Sequence, residues 1–182
     1  MAKSETASSK LAEVIRTGVQ ETPHSSNPHP VWSRLRELQT ELWLDTGDME
    51  EAERLWSAEF SALTTNNTLL NKEIQKGIYD EWIPLAVAAA KQDQPNLSPS
   101  DLILEVAFAL NARHGLRLVQ RFGVDVSVEL HTNLAHDVDR SVDFGRRYHA
   151  LCPDNFIVKV PLTAAGLVAA RRLVEDGIRV NF

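Results

Sequence analysis

Five short apolar segments, each with a polar residue at or next to its end and separated by helical stretches, constrain this chain more than any other feature. They span Leu42–Asp45 and residues 62–66, 124–129, 156–160 and 178–182. Between them apolar residues recur at helical spacing. Met49, Ala52, Leu55 and Trp56 follow a capping-box start at Asp48 and Glu51, and Leu167, Ala170, Leu173 and Val174 follow Thr163. Ser98 and Pro99 open a long helix that Gly123 closes, and Gly177 closes the last one. Residues 69–91 read as a helical region interrupted near Pro84, and Leu134 to Tyr148 as a further helix. Strands separated by helices predict parallel pairing in a sheet covered by helices.

Side chains alternate faces along a strand, so the parity of each segment can be followed. Val124, Val126 and Val128 oppose Asp125, Ser127 and Glu129. Phe156, Val158 and Val160 oppose Ile157 and Lys159. One face is apolar and suits a helix layer; the other ends in Asp45, Asn66, Glu129, Lys159 and Asn181. An open sheet covered on both sides needs apolar residues on both faces. A (β/α)₈ barrel gathers such polar groups at the carboxyl ends of its strands, where barrel active sites lie. No glycine-rich phosphate turn follows the first strand, which weighs against a nucleotide-binding doubly wound sheet. The fold class predicted is α/β, of TIM-barrel type, with about the first five strands present.

Lys159 is the amine in this set, at the end of the run Phe156-Ile157-Val158-Lys159-Val160. Burial of an amine disfavours its ammonium form, which is what imine formation requires. The competing role is a strand end that has reached water. Asp45 has a competing role as a loop cap, Asn66 as a turn residue, and Glu129 as a salt-bridge partner of Lys159.

The chain has 182 residues, a net charge of −6 and a pI near 5.5, which weighs against nucleic acid or an anionic membrane as partner. Cys152 is its one cysteine, and a reducing cytoplasm is the expected location. No run approaches the ~20 apolar residues of a membrane span. Residues 1–30, rich in Ser, Thr and Lys, are expected to form a flexible leader with a weak helix between Leu11 and Val19; residues 31–182 form the domain.

Leu44-Asp45-Thr46-Gly47-Asp48, Leu63-Thr64-Thr65-Asn66-Asn67-Thr68, Val126-Ser127-Val128-Glu129 and Val158-Lys159-Val160-Pro161-Leu162-Thr163 resemble successive strand ends of the transaldolase family. Ala165-Gly166-Leu167 and Glu175-Asp176-Gly177-Ile178-Arg179-Val180-Asn181 continue the match. The resemblance implies a barrel enzyme of the pentose phosphate pathway, acting on sugar phosphates without metal or organic cofactor. It would move a dihydroxyacetone unit from sedoheptulose 7-phosphate to glyceraldehyde 3-phosphate. It makes Lys159 the Schiff-base lysine, Asp45 the acid/base at the donor hydroxyl, and Glu129 the carboxylate that works through a water. Asn66, Asn181 and Thr65 would hold substrate. The alternatives are a fructose-6-phosphate aldolase-like Schiff-base enzyme and a non-catalytic truncated paralogue serving in assembly.

Two departures from the family pattern stand out. Asn67 occupies the place where the family usually has proline, and the chain stops at the fifth strand, before the family's phosphate-binding arginines. The expectation is therefore an amino-terminal piece or truncated copy, inactive alone and prone to self-association through its incomplete barrel. The spacing of His131 and His136 puts the two imidazoles on different helical faces, so these residues with Asp137 are expected to be solvated surface rather than metal ligands. The pairs Arg146-Arg147 and Arg171-Arg172 are expected on outer helix surfaces, Cys152 as a bystander thiol, and Trp56 and Trp82 in the core.

Overall fold

A computed structural model describes residues 9–182 of the chain. Its five strands are β1 (Leu42–Asp45), β2 (Phe60–Thr64), β3 (Asp125–Glu129), β4 (Phe156–Lys159) and β5 (Val180–Asn181). They form one parallel sheet in the order β1-β2-β3-β4-β5. A doubly wound sheet reverses its strand order at a switch point, whereas a barrel wall runs on without reversal. The order seen is that of a barrel wall, with β1 and β5 as the two edges among the described residues.

Helices α1 (Lys10–Arg16) and α2 (Pro30–Glu37) precede the sheet, and α3 (Met49–Leu55) joins β1 to β2. Between β2 and β3 run α4 (Asn67–Gln75), α5 (Ile83–Asp93) and the long α6 (Pro99–Phe122); α7 (Val138–Leu151) and α8 (Ala164–Glu175) complete the layer. The caps read from sequence form as expected. Asp48, Ser98 and Thr163 each accept a backbone N–H of the following first turn, at 3.0, 3.1 and 2.9 Å. Gly123 and Gly177, at φ 68° and 79°, end α6 and the turn after α8 in the left-handed region that glycine tolerates.

The strand registers define the two faces. Leu44, Leu63, Val126 and Phe156 lie opposite one another across four strands, and Val128, Val158 and Val180 form the next apolar row. Leu63, Val126, Val128, Phe156 and Val158 are fully buried. Each such side chain contributes about 1.5–3 kcal/mol of burial free energy. α6 approaches this face closely because Gly115 has no side chain: a Cβ there would sit 2.7 Å from Val128 Cγ1.

Several boundaries differ from the sequence reading. β2 stops at Thr64, because Asn66 turns its side chain back to cap α4. Residues 76–82 separate α4 from α5, and Pro84 sits in the first turn of α5, where its missing N–H has no partner to lose. Asp137 caps α7, so the chain from Thr132 to Leu134 is only a 3-10 turn. β5 has two residues rather than five.

The expected flexible leader divides in two. Residues 1–8 lie outside the described residues. From Ser9 the chain packs onto the domain, with Leu11, Ala12, Ile15 and Val19 buried against α5 and α6. The Asp93 carboxylate accepts the N–H groups of Lys10 and Leu11, both at 2.9 Å, and the Arg113 guanidinium donates to the carbonyls of Val14, Ile15 and Thr17 at 3.3, 3.0 and 2.9 Å. The Ser/Thr/Lys-rich composition hides this short apolar stripe, whose anchors lie about 80–100 residues away in sequence. Among the described residues no helix is long and apolar enough to cross a membrane.

Candidate active site

The opposite face of the sheet carries the polar strand ends. Glu129, Lys159 and Asn181 are direct register partners on β3, β4 and β5, so their side chains emerge side by side from one face. One row below lie Asp45, Thr64, Ser127 and Ile157, also in mutual register. Parallel pairing thus converts the two-residue periodicity of the sequence into contiguous rows.

Lys159 is half-buried, and its Nζ donates to the Thr65 carbonyl at 3.4 Å. Among the described residues no carboxylate lies within 4.0 Å of that amine. The expected alternative, a structural salt bridge between Lys159 and Glu129, does not form. The Glu129 carboxylate turns instead toward α4 and accepts the Asn67 N–H at 2.8 Å. Asn181 is held by Ser127, whose fully buried hydroxyl donates to its Oδ1 at 3.0 Å.

Other predicted residues are placed differently. Asn66 accepts the Leu69 N–H at 2.9 Å as the cap of α4, so its amide oxygen is engaged while it borders the face. Thr65 presents its carbonyl to Lys159, but its hydroxyl is buried, close to Gly47 and without a hydrogen-bond partner. That is not the expected place for a hydroxyl that holds substrate. Asp45 is exposed at the end of the edge strand β1. Two strands separate it from Lys159, about 14 Å measured along the sheet at ordinary strand spacing.

The loop after Asp45 is firmly tied. Thr46 donates to Glu51 at 2.7 Å and accepts the Asp48 N–H at 3.1 Å. The Lys76 ammonium, 2.8 Å from Asp48, holds that carboxyl below its usual range. Behind the loop, His114 Nε2 meets the Gly47 carbonyl at 2.7 Å and Nδ1 meets the Tyr79 hydroxyl at 2.7 Å. A carbonyl only accepts, so Nε2 carries the proton and Nδ1 accepts from Tyr79. Burial pushes His114 down to about 4. The unfolded chain therefore takes up this proton first as pH falls from about 6.5, so native stability drops toward pH 4, by about 3 kcal/mol over the window. Urea unfolding at stepped pH checks this: His114→Gln, which keeps both partners without titrating, is expected to flatten the slope.

Ser127, Asn67 and His114 are contributors that the sequence reading passed over. Ser127 shares the phase of Glu129, and His114 falls at helical spacing between Leu110 and Leu118 of α6; both signals are visible in the chain. Asn67 was visible only as a departure from a pattern. Among the described residues no group of three or more His, Cys, Asp or Glu side chains is arranged to hold a metal ion.

Consecutive parallel βα units with an amine, carboxylates and amides at the carboxyl ends of their strands define part of a (β/α)₈ barrel. The chain belongs to the transaldolase/fructose-6-phosphate aldolase family, whose model matches residues 42–182. A transaldolase from Xanthomonas euvesicatoria pv. vesicatoria (strain 85-10) is 29% identical over 155 residues, covering 82% of this chain and 47% of that protein. One from Trichormus variabilis is 28% identical, covering 81% and 46%. A probable transaldolase from Thermus thermophilus is 34% identical over 143 residues, covering 78% and 51%. The chain thus spans about half the length of the curated relatives it matches.

Proposed function

We propose that this site performs aldol chemistry through an imine on Lys159, as a transaldolase acting on sugar phosphates. The carrying observation is the Lys159 amine itself, half-buried at a barrel strand end, unpaired by any carboxylate among the described residues and flanked in register by Glu129 and Asn181. In this reading the neutral amine adds to the ketose carbonyl carbon, and the carbinolamine loses water to give a protonated imine. Glu129 works through a water to move the protons of that step. The imine then accepts the electron pair of the breaking carbon–carbon bond as Asp45 takes the proton of the neighbouring hydroxyl. An aldehyde leaves, and the enamine attacks the acceptor aldehyde by the reverse sequence. Asn181, braced by Ser127, and the free amide hydrogens of Asn66 orient substrate hydroxyls without adding charge.

The donor and acceptor proposed are sedoheptulose 7-phosphate and glyceraldehyde 3-phosphate. The family description names two activities, so a second reading is direct cleavage of fructose 6-phosphate. Release of glyceraldehyde 3-phosphate from fructose 6-phosphate, measured with and without erythrose 4-phosphate, separates them. Acceptor-dependent release is expected. Equal release without acceptor selects the aldolase, and no release under either condition contradicts both and favours the remaining alternative, a chain inactive alone.

A further inference from the structure

We propose that His114 is a positioning residue for the Asp45 carboxylate: from α6 it grips the Gly47 carbonyl and so fixes the loop that leads out of β1 just after Asp45. This rests on the reading of Asp45 as the acid/base group. β1 is an edge strand among the described residues, so β2 holds Asp45 from one side only. The direction in which its side chain leaves the sheet therefore depends on the loop that follows.

The imidazole joins that loop to the core in one orientation. Its Nε2 donates to the Gly47 carbonyl and its Nδ1 accepts from the Tyr79 hydroxyl, both at 2.7 Å. The Tyr79 oxygen in turn accepts from Arg117 Nη1 at 3.4 Å, and Arg117 Nε is 2.6 Å from Glu21 Oε1. A guanidinium only donates, so the hydroxyl proton is left to point at Nδ1. Both ends of the ring thus select the same neutral tautomer. Tyr79 and His114 are fully buried, and burial pushes the Tyr79 hydroxyl up, which keeps its proton in place. A buried polar network whose members are all paired is rigid.

Gly47 is also where the loop meets the rest of the site. A Cβ there would sit 2.7 Å from Thr65 Oγ1 and 3.2 Å from Leu69 Cβ, so the loop backbone lies directly against the residues that follow β2. Thr65 is the residue whose carbonyl accepts from Lys159 Nζ. His114 therefore holds the loop at the point where the side of the site bearing Asp45 touches the side bearing the lysine. A displacement of about 1 Å in a reacting group can cost about 10²-fold in rate, so slack at Gly47 is expected to reach the chemistry.

The test pairs amide hydrogen exchange, read by mass spectrometry, with kinetics. His114→Leu removes both ring hydrogen bonds and keeps a side chain of similar bulk, whereas His114→Gln can keep both. In His114→Leu a peptide spanning residues 43–49 is expected to exchange about tenfold faster, with peptides from β3 and β4 unchanged, and His114→Gln is expected to match the parent. Tyr79→Phe, which leaves Nδ1 without a donor, is expected to loosen the same peptide and decides the matter if the leucine variant does not fold. With fructose 6-phosphate and erythrose 4-phosphate, His114→Leu should slow product release by about 10- to 100-fold, leave the borohydride-trapped adduct intact, and add nothing in an Asp45→Asn background. Unchanged exchange at residues 43–49 in the folded variant, acceleration spread evenly over the sheet, or a slowing that persists in full beside Asp45→Asn would overturn the proposal. Exchange needs no sugar, so a parent protein without product release would count against the proposed activity and leave the exchange result to decide this one.

Discussion

Asp45→Asn is expected to slow carbon–carbon cleavage by about 10²–10⁴-fold while leaving imine formation on Lys159 intact. The asymmetry follows from the positions of the two groups. Asp45 ends the edge strand β1, with two strands between it and the lysine, whereas Glu129 and Asn181 flank Lys159 directly. Its proposed task is confined to the hydroxyl proton released when the bond breaks, a step that comes after the imine exists. Asparagine has the same shape but does not accept that proton. The position is exposed, so the substitution is expected to leave the melting temperature unchanged. Product release and borohydride-trapped adduct, measured on the same samples, should therefore diverge. Loss of both together, or of neither, contradicts the division of labour.

Gly166→Ala is expected to lower the melting temperature by roughly 6–12 °C, the consequence of about 3 kcal/mol for a domain of this size. The cause is space rather than backbone freedom. A Cβ on Gly166 would fall inside the van der Waals envelope of the Pro161 carbonyl oxygen, a backbone atom with no rotamer to yield. Pro161 begins the loop from Lys159 to α8, whose first turn is fixed by the 2.9 Å bond from the Gly166 N–H to Thr163 Oγ1. Relieving the clash means moving the start of α8 or the loop two residues beyond the lysine. Thermal unfolding followed by circular dichroism checks the size of the effect, and a shift below about 2 °C contradicts the geometry.

The barrel wall was legible because its signal is local. Alternation along residues 124–129 and 156–160 shows which side chains share a face, and parallel register carries that face unchanged from strand to strand. Lys159, Glu129 and Asn181 were identified as one group for that reason. The features missed depend on distant partners. α1 is anchored by Asp93 and Arg113, and no composition window over residues 1–30 contains those anchors. The early end of β2 reflects competition between strand continuation and the capping bond from Asn66 to the Leu69 N–H. The turn of Glu129 toward Asn67 spans 62 residues, and the residue type alone offered only a salt bridge to Lys159 beside the catalytic role.

The central claim is that Lys159 is the amine that bonds to the ketose. Borohydride reduction of the protein with fructose 6-phosphate, followed by peptide mass spectrometry, tests it most directly. The expected result is a reduced sugar adduct on the peptide containing Lys159, lost in Lys159→Met. An adduct on a different lysine, or none in protein shown to be folded, would contradict the account.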